Sequence, residues 1–149
     1  IGPYTGTGTD CGLSQKAEGL LQRIMDGGLG VIAKEWDRAA SLGYPMHLNT
    51  FGLRAADDFW LNLRSSVPAA TFTINHKVAR QDPSQAPRVA LRWSLNGTHD
   101  GWGRFGKPTA APLHIMGITH FEFGPRGVHR EWTLIDDTSI WKQILLHQG

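Results

Sequence analysis

Apolar positions recur at helical spacing in three segments of the N-terminal half of the chain. The first segment follows Ser14, which we expect to cap a helix, and the glycines at 27 and 28 end it. A second stripe begins at Val31 with an end that the pattern leaves open, and a third covers residues 53–64. The stripes consist of Ala17, Leu20, Leu21, Ile24 and Met25, then Val31, Ile32, Glu35, Trp36, Ala39 and Ala40, then Ala56, Phe59, Trp60 and Leu63.

The spacing changes to the alternation of β-strands after Pro68. Strands are predicted over residues 71–80, 88–99, 113–123 and 128–135, with a tight turn at 124–127 and irregular chain at 46–51. We interpret Asn96-Gly97 as a bulge in a long strand, because no strand-like partner follows within two residues. Asp136 or Asp137 is expected to cap a last helix, with inward positions Ile140, Trp141, Ile144 and Leu145.

This order of elements, helices first and antiparallel strands afterwards, predicts an α+β domain with helices on one face of a bent sheet. A chain of 149 residues fits one such domain. Residues 1–12 are rich in Gly and Thr, so we expect a flexible N-terminal tail there and the domain over residues 13–149.

Composition narrows the classes of partner and compartment. The 15 Lys and Arg residues are scattered and the net charge is +2, so we expect no nucleic acid, which requires a clustered basic face. No apolar run approaches the ~20 residues of a membrane helix, so a membrane partner is not expected. The single cysteine, Cys11, cannot form an internal disulfide, which fits the reducing cytoplasm that we expect as the compartment.

A series of short motifs in the last sixty residues has a recognisable layout. In order, they are Arg92-Trp93, Gly97-Thr98-His99-Asp100-Gly101, Gly106-Lys107-Pro108-Thr109, Met116-Gly117-Ile118-Thr119-His120-Phe121, Glu131-Trp132, Asp136 and Trp141-Lys142-Gln143-Ile144. This layout resembles the SnoaL-like polyketide cyclase family of the nuclear transport factor 2-like superfamily. The resemblance implies a cone: a curved, mostly antiparallel sheet, three N-terminal helices and a short C-terminal helix around a pocket, commonly in homodimers.

The resemblance also implies a pocket for a small apolar molecule, with no cofactor. Three functions stay open: an acid/base enzyme of cyclase, isomerase or dehydratase type acting on an apolar carbonyl compound, a non-catalytic ligand-binding domain, and a dimeric interaction module. The family's cyclases carry an aspartate directly after the aromatic residue of the Glu-Trp motif, where this chain has Thr133. A threonine hydroxyl cannot take a proton from carbon near neutral pH, so the proton-transfer candidates become His120, Glu131 and His99.

Candidate ligand contacts surround these groups. Arg92 would orient Glu131 if their strand faces meet, either as a structural ion pair or as part of the site. Trp60 and Trp102 offer flat surfaces for a polycyclic or aromatic ligand, and Thr133 a hydroxyl.

Metal and dinucleotide sites are not expected. His114 and His120 share a strand face but lie about 20 Å apart at strand rise, too far to bind one ion. The glycines at 101, 103 and 106 match a dinucleotide-binding string, but they join two predicted strands rather than a strand and a helix.

Overall fold

The computed structural model describes residues 12–28, 30–45, 47–51 and 53–148, and for 47–51 it describes the backbone alone. Cys11 and nearly all of the predicted tail lie outside these residues. The described chain forms four helices, α1 (Leu13–Met25), α2 (Gly30–Glu35), α3 (Arg54–Ser66) and α4 (Asp137–Gln148). Its six strands are β1 (Trp36–Tyr44), β2 (His47–Phe51), β3 (Thr71–Arg80), β4 (Arg88–Thr98), β5 (Pro112–Gly124) and β6 (Gly127–Ile135).

The strands form one mixed sheet in the order β2-β1-β6-β5-β4-β3. Only the β1–β6 pair among these is parallel, and the other neighbouring pairs are antiparallel. Three helices precede the long strands and one follows them, so the predicted α+β class is confirmed.

Strand alternation gives the sheet two different faces. Along β5 the buried positions Leu113, Ile115 and Phe121 face the helices, and we call this side the inner face. The intervening positions, such as Met116 and Ile118, lie on the opposite side, which we call the outer face, and they are largely exposed. The core therefore occupies the inner face only.

The first helix starts differently from the sequence prediction. Gly12, with a φ of 79°, precedes it, and Ser14 lies buried inside the helix rather than capping it, so that prediction was wrong. Only glycine adopts this left-handed backbone without strain. The predicted apolar stripe is confirmed, with Ala17, Leu20, Leu21 and Ile24 fully buried.

The second helical stripe breaks at Trp36, where strand β1 begins. A spacing of four residues is common to one helix face and one strand face, so Trp36 and Ala40 are buried in either structure. Because residues 36–44 pair in parallel with β6, this segment is a strand rather than a continuation of the helix. The segment predicted as irregular contains β2, which pairs with β1.

Strand β4 is continuous through Asn96-Gly97, which pair with His114 and Leu113 without a register shift, so the predicted bulge is wrong. The only irregularity between β3 and β4 in the described chain lies at Ile74 and His76. Gly97 is required for another reason, since a Cβ there would lie 2.8 Å from the Cα of Ala70.

The last helix is capped as expected, because the Asp136 carboxylate accepts a 3.0 Å hydrogen bond from the Ser139 amide. Ile140 and Ile144 are buried, whereas Trp141 is 43% exposed and Leu145 is 63% exposed, so the predicted inward positions of these two residues were wrong. No helix in the described part of the chain is long and apolar enough to span a membrane.

Candidate acid/base site

The centre of the inner face holds a fully buried carboxylate, that of Glu131 on β6. Its strand neighbours are Phe121 on β5 and Leu42 on β1. Oε1 accepts hydrogen bonds from the Tyr44 hydroxyl at 2.7 Å and from Trp36 Nε1 at 3.1 Å. Oε2 accepts from the Thr133 hydroxyl at 2.7 Å and from Trp60 Nε1 at 3.2 Å.

These four donors are all uncharged. A carboxylate offers about four acceptor positions, so the donors occupy its full capacity. No cation is among its hydrogen-bond or ion-pair partners in the described residues. Glu131 is therefore a buried carboxyl group whose hydrogen-bond partners among the described residues are all uncharged.

Burial is the largest influence on the protonation of this carboxyl and raises the pKa of Glu131 above its ordinary value. The four hydrogen bonds act in the opposite direction, because each favours the ionised form. Burial also raises the pKa of Tyr44, and the negative charge of Glu131 adds to that rise. The phenol therefore stays protonated and remains a donor.

A second layer of hydrogen bonds lies behind Thr133. The hydroxyls of Thr133 and Thr119 are 3.0 Å apart, and the Thr119 hydroxyl accepts a 2.9 Å bond from Trp93 Nε1. Thr119 and Thr133 face each other across β5 and β6. Both threonines are fully buried.

Aromatic rings enclose this polar centre. Tyr44 stacks on Phe59 at 4.6 Å between ring centroids, and Phe59 contacts Trp60 edge-on at 5.0 Å. The guanidinium of Arg104 lies 5.4 Å over the Phe59 ring. We call Trp36, Tyr44, Phe59, Trp60, Trp93 and Phe121 the aromatic chamber.

Arg104 fixes the β4–β5 loop outside this chamber. It forms two bonds of 3.0 and 2.9 Å with Asp137 at the start of α4, and its amide donates to the Asn62 carbonyl of α3. Contacts therefore link Glu131 in series to Tyr44, Phe59 and Arg104.

No protein-family model matches the chain. No curated protein matches it either. Solved structures of other proteins do match this chain. A SnoaL-like polyketide cyclase from Agrobacterium tumefaciens str. C58 superposes with a TM-score of 0.63 and 16% identity, over 86% of this chain and 94% of that one. A protein from Jannaschia sp. CCS1, provisionally assigned as a SnoaL-like polyketide cyclase, gives 0.68 and 14% over 97% and 95%.

The chain has the SnoaL-like fold. AclR of Streptomyces galilaeus, provisionally assigned as a hydroxylase, shares it at a TM-score of 0.68 and 17% identity, over 89% of this chain and 83% of that one. Similarity at these identities concerns the fold, and proteins named for different reactions share it.

Three of the predicted site residues meet on the inner face of this SnoaL-like fold. Glu131 and Thr133 are neighbours on β6, and Trp60 reaches them from α3. The predicted apolar stripe of the third helix is confirmed, since Trp60 is buried together with Ala56, Phe59 and Leu63.

Arg92 and His120 lie on the outer face instead. Arg92 is exposed and pairs with Ile118 in the sheet, whereas Glu131 belongs to the row of Phe121. The expected contact between Arg92 and Glu131 is therefore not formed. His120 packs beside Trp132, and burial lowers the pKa of its imidazole.

His99 lies beyond the end of β4, ten residues after Val89, which shares the sheet row of Glu131. The described contacts of His99 are with Thr109 and Phe105, and none of them is with Glu131. Nδ1 of His99 is 2.9 Å from the Thr109 hydroxyl, a contact within the β4–β5 loop. Trp102 is 67% exposed on the β4–β5 loop.

Four members of the site were missed by sequence reasoning: Trp36, Tyr44, Trp93 and Thr119. The alternation of β4 and β5 does place Trp93 and Thr119 on the inner face, which was a usable signal. Trp36 and Tyr44 reach Glu131 only because β1 pairs with β6, and that long-range pairing leaves no local pattern.

The outer face carries shallow grooves that meet at His120. One groove of about 310 Å³ is lined by Gly43, Ile118, His120, Trp132 and Leu134. Trp132 packs against β1, where a Cβ on Gly43 would be 2.7 Å from the indole. No group of three or more His, Cys, Asp or Glu residues that could hold a metal ion occurs among the described residues.

Proposed function

We propose that this chain is a cofactor-independent acid/base enzyme acting on an uncharged, apolar carbonyl compound, with Glu131 as the group that moves the proton. The observation that carries the proposal is the carboxylate itself: fully buried, held by four neutral donors and surrounded by aromatic rings.

Stability alone does not account for such a group. Burying a carboxylate without a cation costs several kcal/mol, and apolar side chains of similar volume would pack such a core at lower cost. Burial brings the pKa of Glu131 closer to neutral pH, which is what a general base requires. The free-energy cost of burying the Glu131 carboxylate therefore supports a catalytic role for this residue.

The proposed step removes a proton from the carbon next to a carbonyl group. The C–H bond breaks, its proton passes to Glu131, and its electron pair forms a C=C bond while the carbonyl oxygen becomes an enolate. Tyr44 is a neutral donor already at the site, and its hydroxyl can turn to that oxygen as charge leaves Glu131. Return of the proton to a different atom gives isomerisation, and attack of the enolate on a second carbonyl gives cyclisation.

The same environment limits the substrate. A second negative charge would be repelled by Glu131, and none of the four side chains that donate to Glu131 carries a positive charge to offset it. Aromatic walls favour a flat apolar compound. Because Glu131 is fully buried, such a compound must displace the stacked rings of Tyr44 and Phe59 to reach it.

Thr133 takes a supporting role in this proposal. It occupies the position of the cyclase aspartate, yet its hydroxyl donates to Glu131 two residues earlier on the same strand face. Relative to the position of the cyclase aspartate, the carboxylate of this chain lies two residues earlier in the sequence, and it remains on the inner face.

The test uses 2-tetralone, an uncharged aromatic ketone, in D2O. Loss of its α-proton signals in ¹H NMR measures proton abstraction directly. We expect the wild-type protein to accelerate exchange and Glu131→Gln to lose about 10²–10⁴-fold of that acceleration. Wild-type protein that binds 2-tetralone without accelerating exchange would support the non-catalytic ligand-binding domain instead.

A second proposed property is homodimerisation through the outer face. Met116, Ile118, Trp132 and Leu134 are each 44–57% exposed on β5 and β6. Adjacent apolar side chains at this exposure are typical of an interface.

With one cysteine in the chain, a reducing cytoplasm remains the proposed compartment.

A further inference from the structure

The hydrogen bonds behind Glu131 form a chain with a fixed direction. Trp93 Nε1 lies 2.9 Å from the Thr119 hydroxyl, which lies 3.0 Å from that of Thr133, which lies 2.7 Å from Oε2 of Glu131. All four side chains are fully buried. The chain is therefore shielded from bulk solvent along its whole length.

The direction follows from what each group can do. An indole N–H only donates, so the Thr119 oxygen accepts from Trp93. A carboxylate only accepts, so the single hydroxyl proton of Thr133 points to Glu131. The contact between the two threonines then has one solution, in which Thr119 donates to Thr133.

We propose that Thr119 is a positioning residue that acts on Glu131 through Thr133 and favours the ionised carboxylate. A hydroxyl that accepts a hydrogen bond becomes a better donor, so the bond from Thr119 strengthens the one that Thr133 gives to Oε2. The inference rests on the proposed function in that Glu131 is the working group of both.

Protonation of Oε2 would work against this chain. The new O–H would have to donate to Thr133, and Thr133 would have to turn its proton to Thr119. Thr119 would then accept from both Trp93 and Thr133, because Trp93 cannot reverse, and the proton of Thr119 would lose the acceptor that Thr133 provided. Three tryptophans thus support the anion, Trp36 and Trp60 directly and Trp93 through the two threonines.

Local packing supports a dedicated placement of Trp93. Its indole lies across β5 at Gly117, where a Cβ would be 2.2 Å from the ring. Trp93 and Gly117 are sheet partners, and Thr119 is two residues further along on the same face. The glycine therefore lets the indole reach Thr119.

The experiment titrates Glu131 by NMR after ¹³C labelling of the glutamate side-chain carboxyls, which gives four signals from Glu18, Glu35, Glu122 and Glu131. We expect Thr133→Val to raise the midpoint of Glu131, Thr119→Val to raise it by a smaller amount, and the double variant to match Thr133→Val. Thr119→Ser should restore the wild-type midpoint, and Thr73→Val, at an exposed position of β3, should leave it unchanged.

A wild-type midpoint in Thr119→Val, or additive shifts in the double variant, would overturn the inference. Trp93→Phe removes the first donor without touching either threonine and should raise the midpoint in the same direction, so it replaces Thr119→Val if that variant does not fold. Failure of the proposed function looks different: 2-tetralone would show no catalysed exchange while the order of midpoints still held.

Discussion

The hydroxyl of Tyr44 donates a 2.7 Å hydrogen bond to Oε1 of Glu131 across 87 residues of sequence. The bond joins the end of β1 to β6, the strands that form the parallel pair of the sheet. It also links the buried carboxylate to the Phe59 ring, since Tyr44 stacks on Phe59. Tyr44 is therefore both a donor to Glu131 and a packing partner of Phe59.

Replacing this donor should alter the carboxylate without opening the chamber. Tyr44→Phe keeps the stack on Phe59 and removes one bond to a charged group, at a cost of about 1.5–3 kcal/mol in the free energy of unfolding. The pKa of Glu131 should rise, because a bond that favoured its ionised form is lost. Urea denaturation and NMR titration measure the two effects, and an unchanged midpoint would contradict this role for the phenol.

The raised pKa of Glu131 predicts the sign of its contribution to stability. Between its unfolded value, about 4.3, and the higher folded value, the folded state binds more protons than the unfolded state. The stabilising contribution of Glu131 is therefore fully present below the pKa of the unfolded state and is lost as pH rises through the pKa of the folded state.

Glu131→Gln provides the reference for that measurement, because glutamine does not titrate. The free energy of unfolding of wild type minus that of the variant should fall as pH rises through this window. Urea denaturation of both proteins at a series of pH values tests it, and a difference that grows with pH would show that the folded pKa is lowered instead.

Much of the fold could be predicted because alternation on β3 to β6 is local information. It placed Glu131 and Thr133 on one face correctly. It could not place Arg92 relative to Glu131, because that depends on the register of β4 with β5 and of β5 with β6. One residue of shift in either pairing would have put Arg92 on the face of Glu131.

The first half was harder to predict. Trp36 and Ala40 satisfy helix and strand periods equally, and only pairing with β6 distinguishes the two. The neutral donor shell of Glu131 also escaped prediction, because two of its members, Trp36 and Tyr44, come from this segment.

The β4–β5 loop should be sensitive to a single methyl group. Gly101 donates its amide to the carbonyl of Ser66 at the end of α3, and a Cβ on Gly101 would lie 1.9 Å from the Ser65 carbonyl oxygen. Gly101→Ala must push the loop away from α3, so we expect a loss of about 1–3 kcal/mol in the free energy of unfolding.

Gly19→Ala is the matched control for the loop variant. A Cβ on Gly19 in α1 meets nothing within 4 Å, and alanine is favoured over glycine in a helix by up to about 1 kcal/mol. Urea denaturation should therefore show opposite signs for the two variants. Equal stability of Gly101→Ala and wild type would mean that the loop does not need its close approach to α3.

The outer face provides the last prediction, since its apolar side chains need a partner surface if the protein dimerises. Leu134 lies on β6 at the edge of the groove that Trp132 and Ile118 line, and it is 57% exposed. Leu134→Glu would place a charge in that interface and should convert the dimer to monomer in sedimentation equilibrium. Leu145→Glu, at a comparably exposed leucine on α4, should leave the dimer intact. A wild-type monomer, or equal loss of dimer in both variants, would exclude the outer face as the interface.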